Sequence, residues 1–500
     1  MTRNILFCRT RVLFLFYLGF FCASFFAFAQ KASPIANLPS VEPLFIYDDG
    51  GSFDDEDIIK AALEFCECPL SSEEGQAVFL RYSNLKKSLV TPSFLALSQR
   101  ERAEKILSTM YEKVLVAYKD GQTRINVTFA DGSYNCVSSS VLYLALAKAS
   151  ALDVRGQVTP NHAFCTLYVT DGSAGAKTKV DVETTNPYGF DPGSKRNVQE
   201  NSNGGQRYTI VPKRNYIGRY EVEDKIFVSL IGNNVAADYD KAGNWYKSVP
   251  MAGACVAFTQ GCKDSSNRNR ERFETACTNF VVSLQREKQF GRIVEWLDLV
   301  LARWGAEKKL KNTYENSVAN YVVVLCKTGS FTAARECLDQ RREKLDAQMQ
   351  ARIEQQIFES EVQWHLDASR NDDEAIAYLQ SIRSSEMAQS SRNASKIKQR
   401  LEYYWVKKIN AAQAEGDFLY AASIADEGLA CVPGSGLILG AKKNCLRNYD
   451  SVFHNKFADL ANKKRYEEAL DVLNEGLRGN PESQALKSDL KRLQKMMGRE

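Results

Sequence analysis

A repeat in the second half of this 500-residue chain limits its fold more than any other feature. The stretch "GDFLYAASIADEGLACVP" (416–433) is matched by "KRYEEALDVLNEGLRGNP" (464–481), with Glu-Gly-Leu at the same place in both. An aromatic residue, replaced once by an aspartate, recurs at the start of a small or apolar helical stretch. The positions are Trp245, Phe290, Phe331, Asp372, Phe418 and Tyr466. Their steps of 45, 41, 41, 46 and 48 residues indicate an array of paired helices.

A single pair of helices cannot bury its apolar face, so stacked neighbours must supply one continuous core. From about residue 226 the apolar pattern is helical throughout, and we expect residues 216–500 to form an all-α array. The pattern resembles tetratricopeptide repeats in its small-aromatic turn, its Ala-centred second helix and the Pro that follows. Its period exceeds the usual length of about 34 residues. The resemblance implies a solenoid whose concave surface binds a protein or peptide partner.

The first residues have the organisation of a secretory signal peptide. Three arginines precede an apolar run over residues 12–28, and small residues stand at Ala27 and Ala29. We expect residues 1–29 to be removed and the protein to be exported to the periplasm or cell envelope. Residues 30–95 should form an extended lead and a helical segment. The alternative is an uncleaved membrane anchor, because the run approaches the ~20 residues that span a bilayer.

The charge of the exported chain is balanced. Removal of residues 1–29 leaves 62 basic residues (65 minus 3) against 61 acidic ones. Basic residues form no stripe of the kind that nucleic-acid binding requires, so we expect no nucleic-acid partner.

The cysteines are too sparse for a disulfide scaffold, with thirteen in the whole chain and eleven after residue 29. An odd number leaves at least one free thiol, for which Cys136 is the candidate. Cys66 and Cys68 lack the second paired motif of a zinc site, and we expect no metal there.

The residues that carry chemistry begin in "YNCVSSSVLYLALAKASALDVRGQVTPNHAFCTLYV" (134–169). Cys136 stands where a helix over residues 137–150 should begin, and His162, one of three histidines, is the first residue of a predicted strand. Asp181 and Glu183 lie two apart on the next predicted strand, so both should point to one face. By contrast, we expect "TRINVTFADGSYNC" (123–136) to be extended or turn.

This order of residue types is typical of nucleophilic catalysis by a thiol. A helix N-terminus and a nearby imidazolium both favour a thiolate, and the free N–H groups of the helix can stabilise an oxyanion. The histidine would act as base, and an acid would fix its tautomer. From the residues alone, either Asp181 or Glu183 could be that acid. Cys165 has the opposite strand parity to His162 and should face the core.

The same blocks resemble the transglutaminase-like branch of the papain-type cysteine proteins. "NCVSSSVLYLALA" resembles the nucleophile helix, "NHAFC" the histidine strand and "VETTNP" the acid strand. The resemblance covers residues 96–215 and places Glu183, rather than Asp181, in the third position, where many members have Asp. Members often use a Trp or Gln as oxyanion donor; no such residue is placed here, and Asn135 or Tyr134 are the candidates for that role.

The predicted fold is α+β: a transglutaminase-like (papain-type) domain with a helical lead, followed by an all-α tetratricopeptide-like solenoid. The resemblance implies a thioester at Cys136, His162 as proton shuttle and an acid as its orienter, without a metal or organic cofactor. The substrates would be amide bonds of proteins or cell-wall peptides. The alternative is a non-catalytic envelope scaffold, in which the repeats bind protein partners and the transglutaminase-like domain is a recognition module.

Overall fold

The computed structural model describes residues 38–170, 177–192, 208–263 and 267–499, so the predicted signal peptide (1–29) lies outside the described residues. The chain divides into two compact units, residues 1–317 and 318–500. The predicted domain boundary at residues 215/216 does not coincide with this division. Helices that follow residue 216 pack on helices and a strand of the preceding region and so belong to the first unit.

The first unit opens with an extended lead and four helices. The lead was predicted, and it occupies residues 38–47. The helices are α1 (Asp55–Phe65), α2 (Glu73–Leu89), α3 (Pro92–Leu95) and α4 (Gln99–Lys113).

A short parallel pair of strands and a central helix follow. The elements are β1 (Ala117–Tyr118), α5 (Ile125–Asp131), β2 (Ser133–Tyr134) and α6 (Cys136–Ala149). The prediction that residues 123–136 are extended or turn was therefore wrong over α5. Every residue of α6 from Val137 to Ala147 is buried, as expected of a helix that is apolar on all sides.

One face of α6 lies against an antiparallel sheet of order β5-β4-β3-β6. Its strands are β3 (Val154–Val158), β4 (Ala163–Thr170), β5 (Lys177–Val182) and β6 (Tyr220–Val222). β4 is rich in β-branched and aromatic residues and is buried on both faces except at its last residue. The region before β6, predicted to have strand character, contains a short 3-10 turn (Lys213–Tyr216).

From Asp224 onward the described chain contains helices and no strand, which agrees with the all-α prediction for the second half. The helices of the first unit are α7 (Asp224–Lys241), α8 (Trp245–Phe258), α9 (Arg268–Arg286) and α10 (Phe290–Trp304). α11 (Lys308–Lys327) contains the division between the units. Within the described ranges, no helix is both long enough and apolar enough to span a bilayer.

The second unit continues with helices joined by short turns. They are α12 (Phe331–Asp339), a 3-10 turn (Arg342–Lys344), α13 (Ala347–Ala368), α14 (Asp372–Ile382), α15 (Glu386–Gln389), α16 (Ser391–Ala414), α17 (Phe418–Cys431), α18 (Gly436–Asn462), α19 (Tyr466–Gly479) and α20 (Gln484–Met496). A helix begins at each of the six positions of the sequence repeat, as the first residue of α8, α10, α12, α14, α17 or α19. The repeat therefore marks the second helix of each pair.

Backbone groups of the lead form hydrogen bonds to residues of α8 and α10. The indole N–H of Trp296 donates to the Pro39 carbonyl (2.9 Å), and that of Trp304 donates to the Val41 carbonyl (2.6 Å). The Leu44 N–H donates to the carbonyl of Pro250 in α8 (2.9 Å). Side-chain exposure alternates along the lead from residue 39, as it does in a strand with one face covered.

We expect Trp296→Phe to lower the stability of the first unit. The indole is 1% exposed, and its loss removes a hydrogen bond and leaves the buried Pro39 carbonyl without that donor. The cost should be about 2 kcal/mol in the free energy of unfolding. Chemical denaturation monitored by circular dichroism would measure it. Trp245→Phe, at a part-buried ring that packs on Phe280, is the matched control and should cost less than about 1 kcal/mol. Equal stability of Trp296→Phe and the parent would contradict the prediction.

Candidate active site

The candidate nucleophile is the first residue of α6. The side chain of Asn135 caps the helix by accepting from the N–H groups of Val137 (2.9 Å) and Ser138 (3.0 Å). The Ser138 hydroxyl accepts from the Asn135 N–H in return, which completes a capping box. The cap fixes the direction in which the helix begins, and Cys136 stays part-exposed at that end.

Hydrogen bonds between α6 and the sheet place the helix start beside the ends of two strands. The Thr184 hydroxyl, just beyond β5, bonds the hydroxyls of Ser139 (2.8 Å) and Ser140 (2.7 Å). The Ser140 hydroxyl also donates to the Ala163 carbonyl at the start of β4 (3.4 Å). These contacts explain why a run of serines stands inside an otherwise apolar helix.

His162 and Glu183 meet because β4 and β5 are antiparallel neighbours. Cys165 pairs with Val182, so the residue before β4 and the residue after β5 lie at the same edge. The His162 Nε2 and Glu183 Oε2 atoms are 2.7 Å apart. Both residues are buried, with exposures of 7% and 1%. The imidazole is stacked on Phe164, with 5.9 Å between ring centroids.

The protonation of His162 is set by three effects. Burial acts to lower the pKa of the imidazole. The hydrogen bond to the Cys136 side chain and the hydrogen bond and charge of Glu183 outweigh it, and the pKa rises to about 10. Since Nε2 is held by Glu183, Nδ1 is the ring nitrogen left to face the sulfur. The site therefore favours the protonated form of His162, which lies between Glu183 and Cys136.

The Glu183 carboxylate is fully hydrogen-bonded. Its Oε1 accepts from the Thr185 N–H (3.1 Å) and the Thr185 hydroxyl (2.8 Å), and its Oε2 accepts from the Tyr216 hydroxyl (2.7 Å) as well as from His162. An ionised carboxylate offers about four acceptor positions, and each is used here. This set of donors satisfies the hydrogen-bonding capacity of a buried carboxylate.

Asp181 occupies a different position. Its carboxylate accepts two hydrogen bonds from Arg219 (2.6 and 2.8 Å) and one from the Thr166 hydroxyl (2.8 Å). Arg219 in turn lies over the Phe164 ring. Of the two acids considered from the sequence, the structure brings Glu183 to His162 and keeps Asp181 in a salt bridge farther along the strand.

The two residues considered for the oxyanion have other roles. The Asn135 side chain caps α6, and its amide donates to the Asp120 carbonyl (3.1 Å). The Tyr134 hydroxyl is buried against that of Tyr111 (2.9 Å). Because the Asn135 cap uses the N–H groups of Val137 and Ser138, the backbone N–H of Cys136 is the first-turn donor best placed for an oxyanion at the sulfur.

Sequence reasoning did not find two tyrosines near the site. Tyr216 follows Glu183 by 33 residues and reaches it through the 3-10 turn. Tyr118 pairs with Tyr134 in the β1–β2 ladder, and burial and the charge at Cys136 raise the pKa of its hydroxyl. Neither lies in a block that resembles a known motif, and only the fold brings them to the site.

The remaining cysteines and histidines lie elsewhere. Of the eleven cysteines in the described residues, eight are buried. Cys165 faces α6 as predicted, with its sulfur 3.6 Å from the Ser140 carbonyl. His365 stacks on Tyr378, and His454 pairs with Asp489. Within the described ranges, no group of histidine, cysteine or acidic side chains is arranged to hold a metal ion.

Comparison with known proteins adds no assignment: no protein-family model matches the chain, and a search of curated proteins finds no significant match.

We expect the imidazole of His162 to titrate far above its ordinary pKa of about 6.5. NMR of the protein with isotope-labelled histidine would measure this pKa. The chain has three histidines, so the variants His365→Gln and His454→Gln identify which resonances belong to His162. Glu183→Gln should lower the pKa, because it removes the charge that favours the imidazolium and leaves burial, which favours the neutral ring.

Asp181→Asn is the matched control and should leave the His162 titration almost unchanged, since Asp181 is paired with Arg219. A titration that responds to Asp181→Asn as strongly as to Glu183→Gln would contradict the assignment of the acid.

Proposed function

We propose that this protein is an exported cysteine enzyme of the transglutaminase-like type, acting on amide bonds of proteins or cell-wall peptides. The observation that carries the proposal is the buried His162–Glu183 pair, with 2.7 Å between Nε2 and Oε2, beside Cys136, whose side chain also raises the pKa of the imidazole. A base held by an acid and facing a nucleophile at a helix start is the arrangement that acyl transfer by a thiol requires.

In the proposed reaction, the Cys136 thiolate attacks the carbonyl carbon of an amide. The negative charge that develops on the carbonyl oxygen would be met by the Cys136 N–H. The His162 imidazolium gives its proton to the departing amine as the carbon–nitrogen bond breaks, and a thioester remains. Water or a second amine then attacks the thioester, His162 takes up its proton, and the thiolate is released. Glu183 keeps the imidazole in position in both halves of the reaction.

The family assignment within this proposal rests on the three sequence blocks around Cys136, His162 and Glu183. Glu183 departs from the Asp that many members have. The longer side chain still reaches the ring, because it stands one residue beyond the end of β5.

The partner in this proposal is a protein or peptide bound by the helical repeats. The second unit exposes large apolar side chains, with Trp364 45% and Tyr403 62% exposed. A groove of about 410 Å³ between α13 and α16 is lined by Tyr403 and Tyr404 together with Lys396 and Arg400. Aromatic and arginine side chains are enriched where proteins bind partners. This surface also favours the second candidate function, a scaffold whose helices bind an envelope protein without catalysis.

Selective alkylation separates the two functions. We expect iodoacetamide near pH 6 to modify Cys136 before the other thiols, because the His162 imidazolium stabilises a thiolate there. Peptide mapping by mass spectrometry after short pulses would measure the rate at each cysteine. Cys431, another part-exposed cysteine, is the internal reference, and we expect it to react more slowly than Cys136 at this pH.

His162→Gln should reduce the pH 6 rate at Cys136 to that of Cys431. Equal rates at Cys136 and Cys431 in the unmodified protein would contradict the enzyme proposal and leave the scaffold.

Turnover can be sought with a fluorescent primary amine and a mixture of envelope proteins and cell-wall peptides. We expect amine incorporation or amide hydrolysis that Cys136→Ala abolishes and that Glu183→Gln lowers by a factor on the order of 10². Asp181→Asn is the matched control and should retain most of the activity. Fast alkylation without turnover of any offered amide would point to a substrate outside this mixture, whereas turnover that survives Cys136→Ala would contradict the mechanism.

A further inference from the structure

The hydroxyl of Tyr216 and the imidazole of His162 share one oxygen of the acid. Tyr216 donates to Glu183 Oε2 at 2.7 Å, and His162 Nε2 lies 2.7 Å from the same atom. The tyrosine comes from the 3-10 turn at 213–216, which no sequence block connects with the site. Two donors on one carboxylate oxygen compete for its charge, so the strength of one bond sets the strength of the other.

The Tyr216 ring also fixes the plane of the imidazole. It meets His162 edge to face at 5.9 Å and Phe164 edge to face at 5.1 Å. Phe164 stacks on the His162 imidazole, and the Arg219 guanidinium lies over the Phe164 ring. The imidazole is therefore confined by aromatic rings while its Nε2 atom is held by the acid.

Tyr216 stays a hydrogen-bond donor over the whole working range of pH. Burial first, and then the charge and hydrogen bond of Glu183, raise the pKa of its hydroxyl. Other titratable or charged groups face this cluster from every neighbouring element: Tyr111 from α4, Tyr118 from β1, Tyr134 from β2, Cys136 from α6, Cys165 from β4, Asp181 from β5 and Arg219 before β6. Asp181 and Arg219 are paired with each other in a salt bridge, and the Tyr216 hydroxyl is the neutral donor to Oε2, the Glu183 oxygen that His162 also contacts.

We propose that Tyr216 is a positioning residue of the catalytic site, which limits how tightly Glu183 holds the His162 imidazolium and so keeps His162 able to give up its proton. The inference rests on the proposed cysteine chemistry and extends it to a fourth residue. A carboxylate that loses a donor becomes a stronger acceptor for the remaining one. Without the tyrosine hydroxyl, the imidazolium would be held more firmly and would protonate the leaving amine more slowly.

The test is the pH dependence of Cys136 alkylation in Tyr216→Phe. The alkylation rate of a thiolate–imidazolium pair changes a second time at high pH, where the imidazolium loses its proton. We expect this alkaline step to move upward by roughly half to one pH unit, while the rate at pH 6 is kept. The proposal would be overturned if the step did not move. It would also be overturned if the step moved downward, which is expected if loss of the hydroxyl only makes the Glu183 side chain less well ordered.

Three further measurements complete the test. Tyr420→Phe removes an exposed hydroxyl in the second unit and should leave the profile unchanged. In a Glu183→Gln background, Tyr216→Phe should cause no further shift, because the shared oxygen has lost its charge; an equal shift in both backgrounds would overturn the proposal. If Tyr216→Phe fails to fold, difluorotyrosine at position 216, a stronger donor, should move the step downward, and an unmoved step would overturn the proposal.

This design separates the failure of the inference from that of the proposed function. Slow alkylation of Cys136 at pH 6 in the unmodified protein counts against the cysteine enzyme itself. Fast alkylation of Cys136 whose pH dependence is the same in Tyr216→Phe and in the unmodified protein counts against the role of Tyr216 alone.

Discussion

The buried carboxylate of Glu183 is the group on which the arrangement of the first unit depends. Moving a carboxylate out of water costs several kcal/mol, and this cost must be offset by hydrogen bonds of good geometry. The offset comes from Thr185, Tyr216 and His162, which belong to three separate segments of the chain. Satisfying one charge therefore brings the end of β5, the turn before β6 and the start of β4 to one point.

The backbone around Glu183 is held as firmly as its side chain. The Glu183 N–H donates to the Gly189 carbonyl at 2.8 Å, which closes the turn that follows β5. A Cβ added at Gly189 would lie 1.8 Å from the Glu183 carbonyl oxygen, so this close approach requires glycine. On the helix side, Thr184 bonds Ser139 and Ser140 and keeps the start of α6 beside the same turn. Neighbouring residues thus orient the acid and the nucleophile together.

The parts of the fold that could be predicted from the sequence are those determined by the local order of residue types. The six repeat positions coincide with helix starts because an aromatic or capping residue at the first turn recurs at each. The helix at Cys136 and the strand after His162 follow from local composition. The helix α5 was missed because "INVTFAD" contains residues that favour strands, while its αL cap at Gly132 also suits a turn.

The choice of acid, the role of Tyr216 and the division of the chain could not be predicted from local patterns, because they depend on contacts between segments that are far apart in sequence. Strand parity places Asp181 and Glu183 on one face but does not say which lies nearer His162, and residues two apart in a strand differ by about 7 Å along it. The register of β4 with β5 decides in favour of Glu183. Tyr216 and the division of the chain near residue 317 likewise depend on packing between segments distant in sequence.

The energetics of this site bear on the choice between enzyme and scaffold. A domain retained only for packing gains little from a buried ion pair, because apolar residues of similar volume are often as stable or more so. Here the burial of Glu183 is combined with a histidine held by it and a part-exposed cysteine at a helix start. The Tyr216 hydroxyl adds a further polar group to the same cluster. In the proposed function these groups have a use as nucleophile, proton shuttle and orienter, which would account for the cost of burying the charged pair.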